Sequence, residues 1–251
     1  MTIHPQLAQA LAQKNALKVI SGLNNFDSER VSAVVKAAEA GGATFVDIAA
    51  DPTLIETIRN LTVLPICVSA VEPELFVSAV NAGADLIEIG NFDSFYRQGR
   101  RFEASEVLEL TQQTRSLLPH VTLSVTVPHI LALDKQVQLA EKLVDAGADI
   151  IQTEGGTSIH PNNPGIRGLI EKAAPTLAAA HSISHAVNIP VLCASGLSSV
   201  TAPMAIAAGA SGVGVGSAIN QLDNEVAMVA AVRSLVEALA QHQSSVLNSY
   251  E

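Results

Sequence analysis

CASGLSSVTAPMAIAAGASGVGVGSAIN, residues 193–220, reads as a short apolar strand, a glycine turn, a small-residue helix, a second glycine-rich strand and one further turn of helix. In (β/α)8 barrels a phosphate often sits between the loops after strands seven and eight and the N-terminus of a short extra helix. Gly196 and Gly216 lack a Cβ, so the backbone there can approach an anion closely. The amides of Gly216, Ser217 and Ala218 open the last helical turn, where unpaired N–H groups and the positive dipole end favour negative charge. Ser195 and Ser217 add hydroxyls. The stretch predicts a cup for one phosphoryl group, and a phosphorylated small molecule as ligand.

Working outward, an internal repeat supplies the architecture. A small-residue turn leads into a strand at AGGATFVDIA (40–49), AGADLIEIG (82–90), AGADIIQTEG (146–155) and AGASGVGVG (208–216). In each, Ala-Gly ends a helix with Gly in the C′ position. Proline-led strands lie between them at 64–70, 118–127 and 189–195, and ALKVISG (16–22) is the first strand. Alternation of eight strands with helices predicts a closed (β/α)8 TIM barrel, one domain over 1–251, with a helix at 5–13 plugging the floor. Expected core positions are Val31, Val34, Val35 and Ala38 in the first repeat helix, and Leu75, Ala79 and Val80 in the third. Val107, Leu108, Leu110 and Leu117 follow in the fourth, and Val137, Leu139, Ala140 and Leu143 in the fifth. A last helix over 223–241 turns Val226, Val229, Ala230, Val236 and Leu239 inward.

The chain of 251 residues is 48% hydrophobic but only 3% aromatic, without Trp, so Ala, Val, Leu and Ile must fill strands buried on both faces. A formal charge of −10 excludes a broad nucleic-acid footprint and obliges an anionic ligand to use a local site. Cys67 and Cys193 fall in buried strands as inert thiols. No secretory signal pattern and no bilayer-length apolar run is apparent. The expectation is a cytoplasmic protein with no nucleic-acid or membrane partner, and no motif in it calls for a cofactor.

Strand parity then selects the barrel-facing side chains. Val46, Ile48, Ile87, Ile89 and Ile151 belong against the helices, which turns Asp47, Glu88, Gln152 and Glu154 inward. The same rule turns Lys18, Cys67, Ser69, Ser124, Thr126, Cys193 and Ser195 inward. A buried carboxylate needs a partner, so Lys18 is expected to pair with Asp47, Glu88 or Glu154. Lys18, Asp47, Glu88 and Glu154 are the catalytic candidates: Lys18 as a Schiff-base nucleophile or electrostatic anchor, the carboxylates as acid/base groups. Ser195, Gly196, Gly216, Ser217, Gln152 and Arg97 are the ligand-binding candidates. No metal site is assigned, although Asp47, Glu88 and Glu154 could together hold a divalent ion. His129 and His160 stand in loops on the catalytic side. The connection NFDSFYRQGRRF (91–102) concentrates Arg97, Arg100 and Arg101 with Phe92, Phe95, Tyr96 and Phe102. It reads either as a lid with an anion clamp or as a homo-oligomer or partner interface, the aromatics being its anchors.

VDIAADP, PICVSAVEP, EIGNFDSFYRQGRRF, LSVTVPHIL, DIIQTEGG and the 193–220 stretch together resemble the conserved hypothetical plastid open-reading-frame family of cyanobacteria and algal plastids. The resemblance covers nearly the whole chain. It implies a barrel fold and a cyanobacterial cytosol or plastid stroma, and no substrate. A looser likeness is to phosphate-binding barrels such as thiazole synthase. The expected activity is a lyase, isomerase or synthase acting on a small phosphorylated metabolite. The alternative is a non-catalytic binding or assembly protein that uses 91–102 as its interface.

Overall fold

The computed structural model describes residues 3–96, 98–155 and 161–248, with 242–248 by backbone alone. Eight parallel strands close into a barrel in sequence order. Helix α1 (Pro5–Ala12) precedes β1 (Ala16–Ile20) and α2 (Ser28–Gly41). There follow β2 (Phe45–Ala49), α3 (Pro52–Arg59), β3 (Ile66–Ala70), α4 (Pro73–Asn81) and β4 (Leu86–Ile89). The connection after β4 contains the single turn α5 (Asp93–Tyr96) before α6 (Ala104–Leu117). Next come β5 (Thr122–Thr126), α7 (Leu133–Asp145), β6 (Ile150–Gln152), α8 (Gly165–Ser184), β7 (Val191–Ala194) and α9 (Ala202–Ala207). The chain continues through β8 (Gly212–Val215), the short α10 (Ser217–Asn220) and α11 (Glu225–Asn248).

The repeated Ala-Gly turns work as the sequence implies. Gly42, Gly83, Gly147 and Gly209 all have φ between 88° and 109°, which a side chain resists. In two of these turns the following aspartate is clamped by an arginine from the helix one unit earlier in the chain. Arg59 meets Asp85 at 2.5 Å and Arg115 meets Asp149 at 2.8 Å. Each aspartate also accepts a backbone N–H, from Ile66 and Leu123 respectively, so the clamp pins neighbouring strands at their N-terminal ends.

The interior divides into two layers. Leu7 and Leu11 of α1 close the barrel floor against Ala16, Phe45, Cys67, Leu86, Ile150 and Leu192. A larger apolar layer separates strands from helices and holds Val46, Ile48, Ile87, Ile89, Ile151 and Val213. The parity expected for β2, β4 and β6 is therefore observed.

Cys193 is a correction. It lies in the outer layer and its thiol meets Thr176 of α8, while Leu192 is the inward neighbour. VLCA offers no polar residue to mark a face, so the alternation carried no sign. Leu75, Leu117, Val226 and Ala230 are also exposed rather than core. In α11 the buried stripe is Met228, Val232, Leu235 and Leu239, a phase that small apolar residues on every side of the helix conceal. Leu235→Ala should cost about 2–5 kcal/mol of unfolding free energy in denaturant titration, whereas Val226→Ser should stay within about 0.5 kcal/mol.

Candidate functional site

At the C-terminal mouth of the barrel, below the loops, four inward side chains form a closed ion network. Lys18 Nζ donates to Glu88 Oε2 at 2.7 Å and to Gln152 Oε1 at 3.1 Å, and lies 3.2 Å from Asp47 Oδ2. The ammonium thus has two hydrogen-bond acceptors and a second carboxylate at ion-pair distance. Glu88 also accepts from Ser124 at 2.8 Å and from Gln152 Nε2 at 2.7 Å, and Asp47 accepts from Ser69 at 2.6 Å. Lys18, Asp47 and Glu88 are all 0% exposed. Burial alone pulls the Lys18 ammonium down, but the charges of Asp47 and Glu88 outweigh it and hold its pKa above the ordinary lysine range. Burial pushes the Glu88 carboxyl up, with Lys18 opposing, and burial pushes up the neighbouring Cys67 thiol. Glu154, the third expected partner of Lys18, is not in this network.

Above it opens a cavity enclosing about 580 Å³, counting the part continuous with solvent. Thr126 and Gln152 are its floor, so the ion network touches the cavity through Gln152 and not directly. Asn91 also lines it and donates to Asp47 Oδ2 at 3.3 Å. Of the catalytic candidates only Glu154 faces this space. Its carboxylate accepts from the Asp93 amide at 2.9 Å and from Tyr96 Oη at 3.2 Å, and pairs with His129 Nδ1 at 3.0 Å. His129 Nδ1 lies 3.5 Å from Asp93 Oδ1 as well. Burial lowers the imidazole pKa, but the hydrogen bond and charge of Glu154, aided by Asp93, leave it raised above 6.5.

The expected cup belongs to the same cavity. Ser195, Gly196 and Leu197 after β7 and Gly216 and Ser217 after β8 line the same cavity. Among the described residues, the amides of Gly196, Leu197, Ser217 and Ala218 have no hydrogen-bond acceptor. Ser195 Oγ is buried and likewise unpartnered. Asn220 fixes the turn from below through Ile20 O at 2.7 Å, and Arg30 holds the Asn220 and Leu222 carbonyls. Glycine at 196 has a reason beyond ligand approach: φ is +71°, and a Cβ would sit 2.7 Å from the Lys172 carbonyl. At Gly216 a Cβ would meet only ordinary contacts from 3.4 Å outward, so packing does not demand glycine there. Asn91 (φ 61°) and Ser195 (φ 82°), two of the three non-glycine residues with positive φ among those described, both line this cavity. Such strain is characteristic of functional sites.

The connection 91–102 does not present its aromatics outward. Phe92 and Phe102 are fully buried, 4.4 Å apart, and Phe95 packs on Phe102 at 5.5 Å. The Arg100 guanidinium lies over the Phe102 ring at 4.4 Å and reaches Glu106 at 3.1 Å. Burial corrects the reading of Phe92 and Phe102 as interface anchors, while Phe95 and Tyr96 are half-buried: the packed rings fix the connection on the barrel, where Asp93 and Tyr96 meet Glu154. Arg97 and His160 lie outside the described residues. A metal set of Asp47, Glu88 and Glu154 is not assembled, because the first two enclose Lys18. The described residues instead gather Asp93, His129 and Glu154, with donor atoms within 4.8 Å of one another. Sequence reading missed Asp93 and Asn91 and took Tyr96 only as an interface anchor; the one signal was the density of polar and aromatic residues in an overlong loop after β4.

A raised His129 pKa means the protonated ring is favoured by folding. Its contribution is complete below the unfolded value near 6.5 and is lost as pH rises through the folded value. NMR titration should place the His129 ring above 6.5 in the wild type and return it towards or below that value in Glu154→Gln. Lys18→Met, which strands two buried carboxylates, should lower stability by about 3–5 kcal/mol in denaturant unfolding.

The family model described as "Protein of unknown function (DUF561)" matches residues 3–245. The chain is 49% identical over 224 residues to the uncharacterized protein ycf23 of Cyanophora paradoxa, covering 87% of this chain and 90% of that protein. It is 42% identical over 239 residues to the uncharacterized protein ycf23 of Pyropia yezoensis, covering 95% and 88%. Similar solved structures include 3-hexulose-6-phosphate synthase, with a TM-score of 0.64 at 18% identity over 89% of this chain and 99% of that one. Another is (S)-3-O-geranylgeranylglyceryl phosphate synthase from Thermoplasma acidophilum in complex with its substrate sn-glycerol-1-phosphate. Its TM-score is 0.60 at 16% identity, over 96% and 99%. At those identities the likeness is one of fold. No described helix is long and apolar enough to cross a membrane. The chain belongs to the DUF561 family, and its ycf23 relatives bear out the family expected from its motifs.

Proposed function

We propose that this DUF561 family member is an enzyme, a lyase, isomerase or synthase, that moves a proton on a small phosphorylated metabolite within one barrel domain over 1–251. The observation that carries the reading is the meeting of two sets of groups at one cavity. The turns after β7 and β8 bring unpartnered amides to it, and Glu154, paired with His129 behind it, lines the same space. Ser195, Gly196, Gly216 and Ser217 hold the phosphoryl oxygens through main-chain N–H groups and hydroxyls, which needs no lysine or arginine. Glu154 takes or returns the substrate proton, and His129 sets its charge. Lys18 acts as a buried electrostatic anchor and not as a Schiff-base nucleophile, since its ammonium is held between two carboxylates and does not line the cavity. Asp47 and Glu88 fix that ammonium, and through it the orientation of Gln152 on the cavity floor. The setting is the cyanobacterial cytosol or the plastid stroma.

The donor spacing of Asp93, His129 and Glu154 favours one second reading, a divalent cation in place of the shared proton. Loss of turnover in EDTA with recovery on adding Mn²⁺ supports the cation; unchanged turnover supports the proton pair. The non-catalytic alternative, with a homo-oligomer or partner on the 91–102 connection, would have to use its exposed 98–101 segment rather than the rings.

Calorimetric titration with inorganic phosphate tests the cup. Ser217→Asp, which sets a carboxylate beside the free amides, should weaken binding at least tenfold, about 1.4 kcal/mol. Equal affinity in the two proteins would refute the cup.

A further inference from the structure

A second groove runs along the C-terminal face beside the cavity, and Asn91 and Asp93 belong to both. Its walls come from the loop after β1 and from the start of the connection after β4. The lining side chains that matter are Ser21, Asn24, Asn25, Asn91 and Ser94, with Asp93 at the junction. Among its described lining residues there is no lysine, arginine or aromatic ring.

Most of these groups are held in place, yet retain unused hydrogen-bonding capacity. Asn25 Nδ2 donates to Ser21 Oγ at 3.0 Å and its Oδ1 accepts from the Asp27 amide at 3.3 Å, which leaves a second N–H and the Ser21 hydroxyl proton. Ser94 Oγ donates to the Asn91 carbonyl at 2.9 Å and keeps its lone pairs. Asn91 is pinned by its bond to Asp47 and its left-handed backbone. Asn24 is exposed and makes no side-chain hydrogen bond among the described residues.

We propose that this groove is the subsite for the non-phosphate end of the ligand, and that this end is a neutral polyhydroxylated chain, so that the ligand is a polyol or sugar phosphate. The inference rests on the cup as the phosphate anchor, with the chain running from it past Asp93 into the groove. Side-chain amides and hydroxyls each offer a donor and an acceptor, which is what vicinal hydroxyls require. A second phosphate or a carboxylate would meet Asp93 in a groove whose described lining holds no lysine or arginine to receive it. A nucleobase would find no ring to stack on among the groove's described lining residues.

Calorimetry on the full chain with inorganic phosphate, glycerol 1-phosphate, ribitol 5-phosphate, fructose 1,6-bisphosphate and AMP tests this. Ribitol 5-phosphate is expected to bind at least tenfold tighter than inorganic phosphate. The Asn24→Ala/Ser94→Ala double variant should lose most of that advantage while binding inorganic phosphate as before. No gain from the five-carbon chain, a gain intact in the double variant, or tighter binding of AMP or the bisphosphate would each overturn the proposal. Free ribitol provides the readout independent of the cup. At high concentration it should shift the side-chain amide NMR signals of Asn24 and Asn25, and their failure to move overturns the subsite even if phosphate binds. Shifts with ribitol but no binding of phosphate would reject the cup alone.

Discussion

One ammonium organises the upper half of this barrel. Lys18 is placed by β1 where eight strands converge, with no route to solvent, and such a charge is tolerable only when every proton is accepted. Asp47, Glu88 and Gln152 meet that demand from three other strands; Ser69 satisfies the Asp47 oxygen left over, and the Gln152 amide N–H the Glu88 one. Four strands are thereby tied at one height by bonds whose geometry admits little slack. The same requirement fixes which way the Gln152 amide faces, and so what the cavity floor offers to anything resting on it.

The second layer of organisation is borrowed from outside the barrel. Glu154 and His129 stand at the ends of β6 and β5, but the group that positions Glu154 from above belongs to the connection after β4. That connection keeps its shape through a small core of its own, the stacked Phe92, Phe95 and Phe102 under Arg100. The aromatic residues that are scarce elsewhere in the chain are concentrated where a loop must act as a wall.

Much of this was legible in the residues alone, for physical reasons. Closed-barrel strands alternate strictly, so one polar residue between isoleucines, as at Asp47 or Glu88, reveals the facing of a whole strand. Where the strand is apolar on both sides, as at VLCA, that information is absent, and Cys193 was assigned the wrong face. The phase of α11 failed likewise, because Ala and Val surround its axis. Helix ends and the glycine turns were readable because a positive φ excludes most side chains. The Asp93–Glu154–His129 grouping was not readable. It depends on how a loop folds back across two strand ends, and nothing local in 91–102 encodes that distance.

The paired clamps Arg59–Asp85 and Arg115–Asp149 sit at the strand ends remote from the cavity and recur two strands apart. Their placement divides the molecule into a footing that repeats and a rim that does not. Because both clamps grip strand starts, they fix the register of neighbouring strands without touching the loops of the upper face, and those loops are under no constraint from this end of the barrel.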